Sequence, residues 1–165
     1  MSPISDEPRQ LLVSAILMVG TAIVQTFGVV FLEESTNRVR LQIAGAMTRW
    51  RMLTVLCGIM VYLFALHLVQ MAVWAAVYLV VAKHPTFSQA LYQSALSFTT
   101  MDEAELPNNW LFLAAAEGVT GLLMFAWSTG VMFNQTSWIT EARRTYLHKH
   151  GGIGIRPDAP HEKAN

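Results

Sequence analysis

Three apolar runs divide the chain, at 11–32, 52–82 and 110–133. The first holds 22 residues without a charge, enough for a helix to cross a hydrocarbon core of about 30 Å at about 1.5 Å per residue. The second is charge-free over 31 residues, which predicts a tilted crossing with a protruding end. Glu117 is the only charge in the third. Ser14, Thr21, Gln25 and Gly28 fall on one face of the first run, and that face is expected to pack against helices rather than lipid. In the second run His67, Gln70 and Trp74 share a face, with Trp74 and Tyr78 toward the far end as interfacial aromatics. His67 leaves two readings open, a proton relay or a hydrogen bond to a neighbouring helix, for which Gln25 lies at similar depth.

Between the runs the pattern changes. In 33–51, Val39, Ile43, Ala46, Met47 and Trp50 make one apolar stripe flanked by Arg38, Arg40, Arg49 and Arg51. That arrangement predicts a short amphipathic helix in the interface, either coupled to gating or acting as a positive topological anchor. Residues 86–100 are helical in pattern and too short to span, with Thr86 or Ser88 as N-cap; a re-entrant or interfacial helix is expected there. A loop at 101–109 leads into the third crossing at 110–134. The segment 1–10 is polar, with Pro3 and Pro8. Its Asp6 and Glu7, beside the single cation Arg9, favour a retained first helix over a cleaved signal. The tail 135–165 is basic, and Gly151, Gly152, Gly154, Pro157 and Pro160 predict that it is largely disordered beyond the first few residues from Glu141.

Composition agrees with membrane residence. Hydrophobic residues make up 53% and charged residues 13%, with a mean hydropathy of +0.39, against about 25% charged residues in soluble domains. The formal net charge is zero, which gives no case for nucleic-acid binding. Cys57, the one cysteine, cannot form an internal disulfide and reads as a small buried apolar side chain. The arginines place the N-terminus outside, 33–51 inside, 83–109 outside and the C-terminus inside.

Only Lys83, Asp102, Glu103, Glu105 and Glu117 are charged between 52 and 133. Three of these five are carboxylates in one loop at a membrane edge, an arrangement suited to ion movement. No nucleophile or metal-spacing motif joins His67 to the acids, so no enzyme is expected. Glu117, on one face with Gly121, Met124 and Ser128, leaves two readings open: a cation site or gate facing a pathway, or a support bonded to the short helix through Ser94, Ser97 or Thr99.

The stretch Ser97-Phe98-Thr99-Thr100-Met101-Asp102-Glu103-Ala104-Glu105-Leu106 resembles the filter region of the potassium channel superfamily's two-helix pore module. There a Thr-Thr pair leads into Val-Gly-Tyr-Gly-Asp-Leu. The stretch Trp110-Leu111-Phe112-Leu113-Ala114-Ala115-Ala116-Glu117-Gly118 is similar to the start of that module's inner helix, which places Gly118 or Gly121 near its hinge glycine. The resemblance covers roughly 55–134. It implies an all-α membrane protein with three transmembrane helices and a re-entrant pore helix, a homotetramer in a bacterial inner membrane, and an ion pathway formed by Thr99, Thr100, Met101, Asp102, Glu103, Ala104 and Glu105. Ser97, Glu117 and Ser128 would support that filter or line the inner pore. Asp102 and Ala104 stand at the two filter glycine positions and Glu103 at the tyrosine, so potassium selectivity is not carried over. Asp102, Glu103 and Glu105 instead suggest a carboxylate ring holding calcium, sodium or potassium, with divalent ions favoured and no organic cofactor. The alternative is a non-conducting relative acting as a membrane scaffold or partner subunit.

Overall fold

The structure, a computed structural model, describes residues 7–43, 49–81, 86–101 and 110–150. These form four helices, α1 (Glu7–Ile43), α2 (Arg49–Val81), α3 (Phe87–Phe98) and α4 (Leu111–His150), with no strand among the described residues. Among the described residues three segments are long and apolar enough to cross a bilayer: Pro8–Asn37, Trp50–Val81 and Leu111–Glu141. An all-helical chain of this kind satisfies its backbone within each span, as a membrane protein must.

Element boundaries differ from the sequence expectation, and α1 already starts at Glu7 within the segment 1–10. The interfacial helix expected over 33–51 is not a separate element. Residues 33–43 continue α1 and 49–51 open α2, while 44–48 lie outside the described residues. No glycine or proline stands between Val29 and Ile43 to stop the helix, and Thr36 is buried with its hydroxyl on the Leu32 carbonyl. Likewise α4 runs 40 residues to His150, through the first part of the tail expected to be disordered. Helix-compatible residues fill 131–150 without a breaker, and Gln135 and Ile139 are fully buried.

Side-chain contacts fix the relative directions of the long helices. Thr21 meets Trp74, and Gly28 meets Tyr62, so α1 and α2 run antiparallel. Arg9 lies 6.0 Å from the Trp110 ring centre, and Gln25 meets Ser128, so α1 and α4 run parallel. One buried cluster joins Val29 and Leu32 of α1 to Ile59 and Leu63 of α2 and Val131 of α4. Another joins Trp74, Ala75 and Tyr78 of α2 to Ala90 of α3 and to Leu113 and Ala116 of α4. The outward faces carry Phe27, Phe31, Val61, Phe64 and Phe133. Cys57, expected to be buried, is exposed on this outer surface.

Lipid is as apolar as leucine, so helix association rests on close packing and interhelical hydrogen bonds. The small and polar face of α1 supplies both. A Cβ on Gly28 would stand 2.5 Å from Leu66 Cδ2, and the Tyr62 hydroxyl donates to the Gly28 carbonyl at 2.8 Å. The Trp74 indole N–H donates to Thr21 Oγ1 at 3.0 Å. Threonines elsewhere, among them Thr26, Thr54, Thr120 and Thr129, return their hydroxyls to the carbonyl four residues earlier, which satisfies them without a partner helix.

Candidate functional site

The short helix expected over 86–100 is present as α3, and its two ends are built differently. At its start Thr86 is extended, and its hydroxyl accepts from the Gln89 amide at 3.3 Å while donating to Gln89 Oε1 at 3.2 Å. The Thr86 hydroxyl thus caps the third amide of the helix, as an N-cap threonine does. At its end the Thr100 amide donates to the Ser97 carbonyl and the Met101 amide to the Leu96 carbonyl. That pair of bonds is a Schellman cap, whose left-handed position usually carries glycine. Here it carries Thr100, at φ 56°. A β-branched residue in that region costs about 1–2 kcal/mol.

The buried face of α3, formed by Ala90, Gln93, Ser94, Ser97 and Phe98, lies against α2 and α4. Its last turn reaches the middle of both long helices. Phe98 is fully buried and clusters with Met71 and Met124. Its ring centre is 5.9 Å from that of His67 and 5.6 Å from that of Phe125. Gly118 and Gly121 make this approach possible. A Cβ on Gly121 would overlap the Phe98 carbonyl oxygen, and one on Gly118 would meet the Ser97 carbonyl and the Thr100 methyl at 3.1 Å. Both glycines lie inside unbroken α4, so in this structure they serve contact with α3.

Two polar clusters are buried in the same interior. In the first, Glu117 is fully buried, with one carboxyl oxygen at 2.5 Å from the Tyr78 hydroxyl and the other at 2.5 Å from Ser94 Oγ. Ser94 Oγ also lies 2.9 Å from the Met71 carbonyl. These are three contacts, and the two hydroxyls supply two protons. Tyr78 donates to one carboxyl oxygen, and the Ser94 hydroxyl lies within donating distance of both the other carboxyl oxygen and the Met71 carbonyl. Such a set leaves no buried group unsatisfied. Of the two sequence readings for Glu117, these contacts are those of a support for α3, through Ser94. Tyr78 is a partner the sequence reading missed, although it continues the His67, Gln70, Trp74 face by one helical turn.

The second cluster is a closed ring across three helices. His67 Nδ1 donates to Gln70 Oε1 at 3.2 Å, and Gln70 Nε2 donates to Gln25 Oε1 at 2.7 Å. Gln25 Nε2 donates to Ser128 Oγ at 3.0 Å, and Ser128 completes the circuit by donating to His67 Nε2 at 3.1 Å. Each member donates once and accepts once, with His67 in its neutral Nδ1–H tautomer. All four side chains are buried. His67 does hydrogen-bond a neighbouring helix, but its partner there is Ser128 of α4; Gln25, the expected candidate, does not bond it directly and is joined to it only through Gln70 and Ser128. Matching depth identified the level of the contact, not which groups complete it.

Of the expected pathway residues, Thr99 is half-buried with its hydroxyl on the Ala95 carbonyl, and Thr100 and Met101 are exposed. Asp102, Glu103, Ala104 and Glu105 lie outside the described residues. Ser97 is buried on α3 and accepts from Gln93 Nε2 at 3.5 Å; Ser128 faces α1 and α2 within the ring. Among the described residues no cluster of three or more His, Cys, Asp or Glu could hold a metal ion.

Fold and site together define an all-helical membrane protein whose three long helices enclose a polar interior, with a short capped helix docked against two of them. Comparison with protein-family models, with curated proteins and with solved structures finds no match.

Proposed function

We propose that the chain is one subunit of a homotetrameric cation channel, in which α2, α3, the stretch 101–109 and α4 form a potassium-channel-like pore module with an acidic filter. The observation that carries this reading is where α3 ends. Its last turn packs on His67 and Phe125, near the centres of the Trp50–Val81 and Leu111–Glu141 segments, and there the chain leaves the helix with Met101 79% exposed. Non-helical backbone at membrane depth does not face lipid; it faces protein or a water-filled path. Four copies around an axis supply both.

On this reading α3 is a re-entrant pore helix and 102–109 is the return limb. Thr100 lies beside Gly118, seven residues into α4, or about 10 Å below its start. The residues that follow span that distance easily at about 3.3 Å each. Thr99, Thr100 and Met101 begin the pathway, and Asp102 and Glu103 from four copies ring its outer mouth, with Glu105 in the ring or bracing the loop. Oxygen ligands of this kind attract hard cations, calcium ahead of sodium and potassium. Glu117, Ser97 and Ser128 hold the module from behind. On this reading the acidic mouth faces outside and the C-terminus lies in the cytoplasm of a bacterial-type inner membrane, an orientation that the arginine distribution favours.

The test is purified protein in two measurements. Native mass in detergent is expected to correspond to four protomers, and vesicles containing the protein are expected to take up calcium down a gradient. A monomer or dimer contradicts the pore. A tetramer that passes no ion under any voltage, pH or calcium condition assigns the chain to a membrane scaffold instead.

A further inference from the structure

Gln25 belongs to α1, outside the pore module, yet its side chain closes the ring that carries His67. His67 in turn packs on Phe125, with ring centres 4.7 Å apart, and on Phe98, the last residue of α3. Two residues further on, Thr100 holds a left-handed backbone. A β-branched residue stays in that conformation only where its surroundings over-determine it. From α4 that constraint comes through Gly121 against the Phe98 carbonyl and Gly118 against the Thr100 methyl. From α2 it comes through His67, whose ring is fixed at both nitrogens, by Gln70 and by Ser128. Gln25 ties Gln70 to Ser128 and so fixes both.

We propose that Gln25 is a positioning residue: through the hydrogen-bond ring, α1 presses His67 against Phe98, holds Thr100 left-handed and so sets the direction in which the chain leaves α3 at Met101. The consequence for ion selectivity rests on the pore-module reading; the consequence for Thr100 does not. Loss of the Gln25 amide removes one donor and one acceptor from the circuit, frees the His67 rotamer and lets Thr100 relax to negative φ.

Thr99–Thr100 is the only Thr-Thr step in the sequence. Threonine labelled with carbonyl 13C and amide 15N therefore gives one directly bonded carbonyl–nitrogen correlation, that of Thr100, in the full chain in lipid vesicles. Solid-state NMR then reads the Thr100 torsion in the native protein, in Gln25→Leu, in Ser128→Ala and in Thr26→Leu. Thr26 is an exposed α1 residue bonded only to its own helix. The native protein and Thr26→Leu are expected to keep the positive φ. Gln25→Leu and Ser128→Ala are expected to lose that correlation to one at negative φ, with altered calcium-over-sodium selectivity in the same vesicles. A general loss of stability lowers the melting temperature without moving this torsion, so the readout is specific to positioning. If Gln25→Leu fails to fold, Ser128→Ala decides. An unchanged Thr100 in the ring variants overturns the proposal, even where ions flow. A shifted Thr100 in vesicles that never conduct upholds it and removes the pore reading instead.

Discussion

Gly121→Ala is expected to destabilise the protein by about 3 kcal/mol, at the top of the usual range for overpacking, and to loosen α3 from α4. The added Cβ would overlap the Phe98 carbonyl oxygen. The obstacle is backbone on both sides, a helix end facing a helix centre, so no side-chain rotation relieves it. Gly118→Ala meets its neighbours at 3.1 Å, one of them the Thr100 methyl, and a shift of a few tenths of an ångström accommodates it at about 1 kcal/mol. Thermal unfolding in detergent measures both. Equal stability for Gly121→Ala and the native protein would mean that α3 does not dock at this distance.

Glu117 supplies the second large effect, and the choice of replacement separates contact from charge. Glutamine reproduces all three contacts: its oxygen accepts from Tyr78, and its amide donates to Ser94, which donates to Met71. Glu117→Gln is therefore expected to cost under about 1 kcal/mol. Glu117→Leu leaves the fully buried Tyr78 hydroxyl without its acceptor while Ser94 keeps the Met71 carbonyl, at a cost of about 2–3 kcal/mol. Chemical or thermal denaturation of the two variants side by side gives the answer. If glutamine proves as damaging as leucine, the carboxylate's charge rather than its contact set sustains the interior.

Much of this architecture is legible in the sequence because long, uninterrupted apolar runs are rarely anything but membrane crossings. The three crossings follow from length and charge alone, and of the two N-cap candidates, Thr86 and Ser88, Thr86 starts the short helix. The packed face of α1 was readable from Ser14, Thr21, Gln25 and Gly28, of which Ser14, Thr21 and Gln25 are buried while Gly28 lies close against Leu66. Helix continuity was less legible. The arginine-flanked stripe predicts helix over 33–51, and 33–43 and 49–51 are helical while 44–48 lie outside the described residues; periodicity does not say whether a helix is new or a continuation, and the absence of glycine and proline from 29 to 43 does. The same holds for 135–150.

Tertiary specifics were the least legible. Residue spacing assigns a face and a depth, which sufficed to place His67 level with Gln25 and Glu117 near Ser94. It does not give azimuth between helices, so the roles of Ser128 and Gln70 in the ring and of Tyr78 on Glu117 appear only in three dimensions. The left-handed Thr100 had no signal in the sequence, because the residue that usually occupies that position is glycine. In physical terms it is a local preference overridden by packing.

The most direct measurement of the central claim is single-channel recording from purified protein in planar bilayers, comparing the native chain with the double variant Asp102→Asn, Glu103→Gln. A ring of side-chain carboxylates predicts cation current in the native protein and a marked loss of divalent permeation or block in the variant. Silent recordings under changes of voltage, pH and calcium, or a variant whose divalent behaviour matches the native protein, would contradict conduction through an acidic filter.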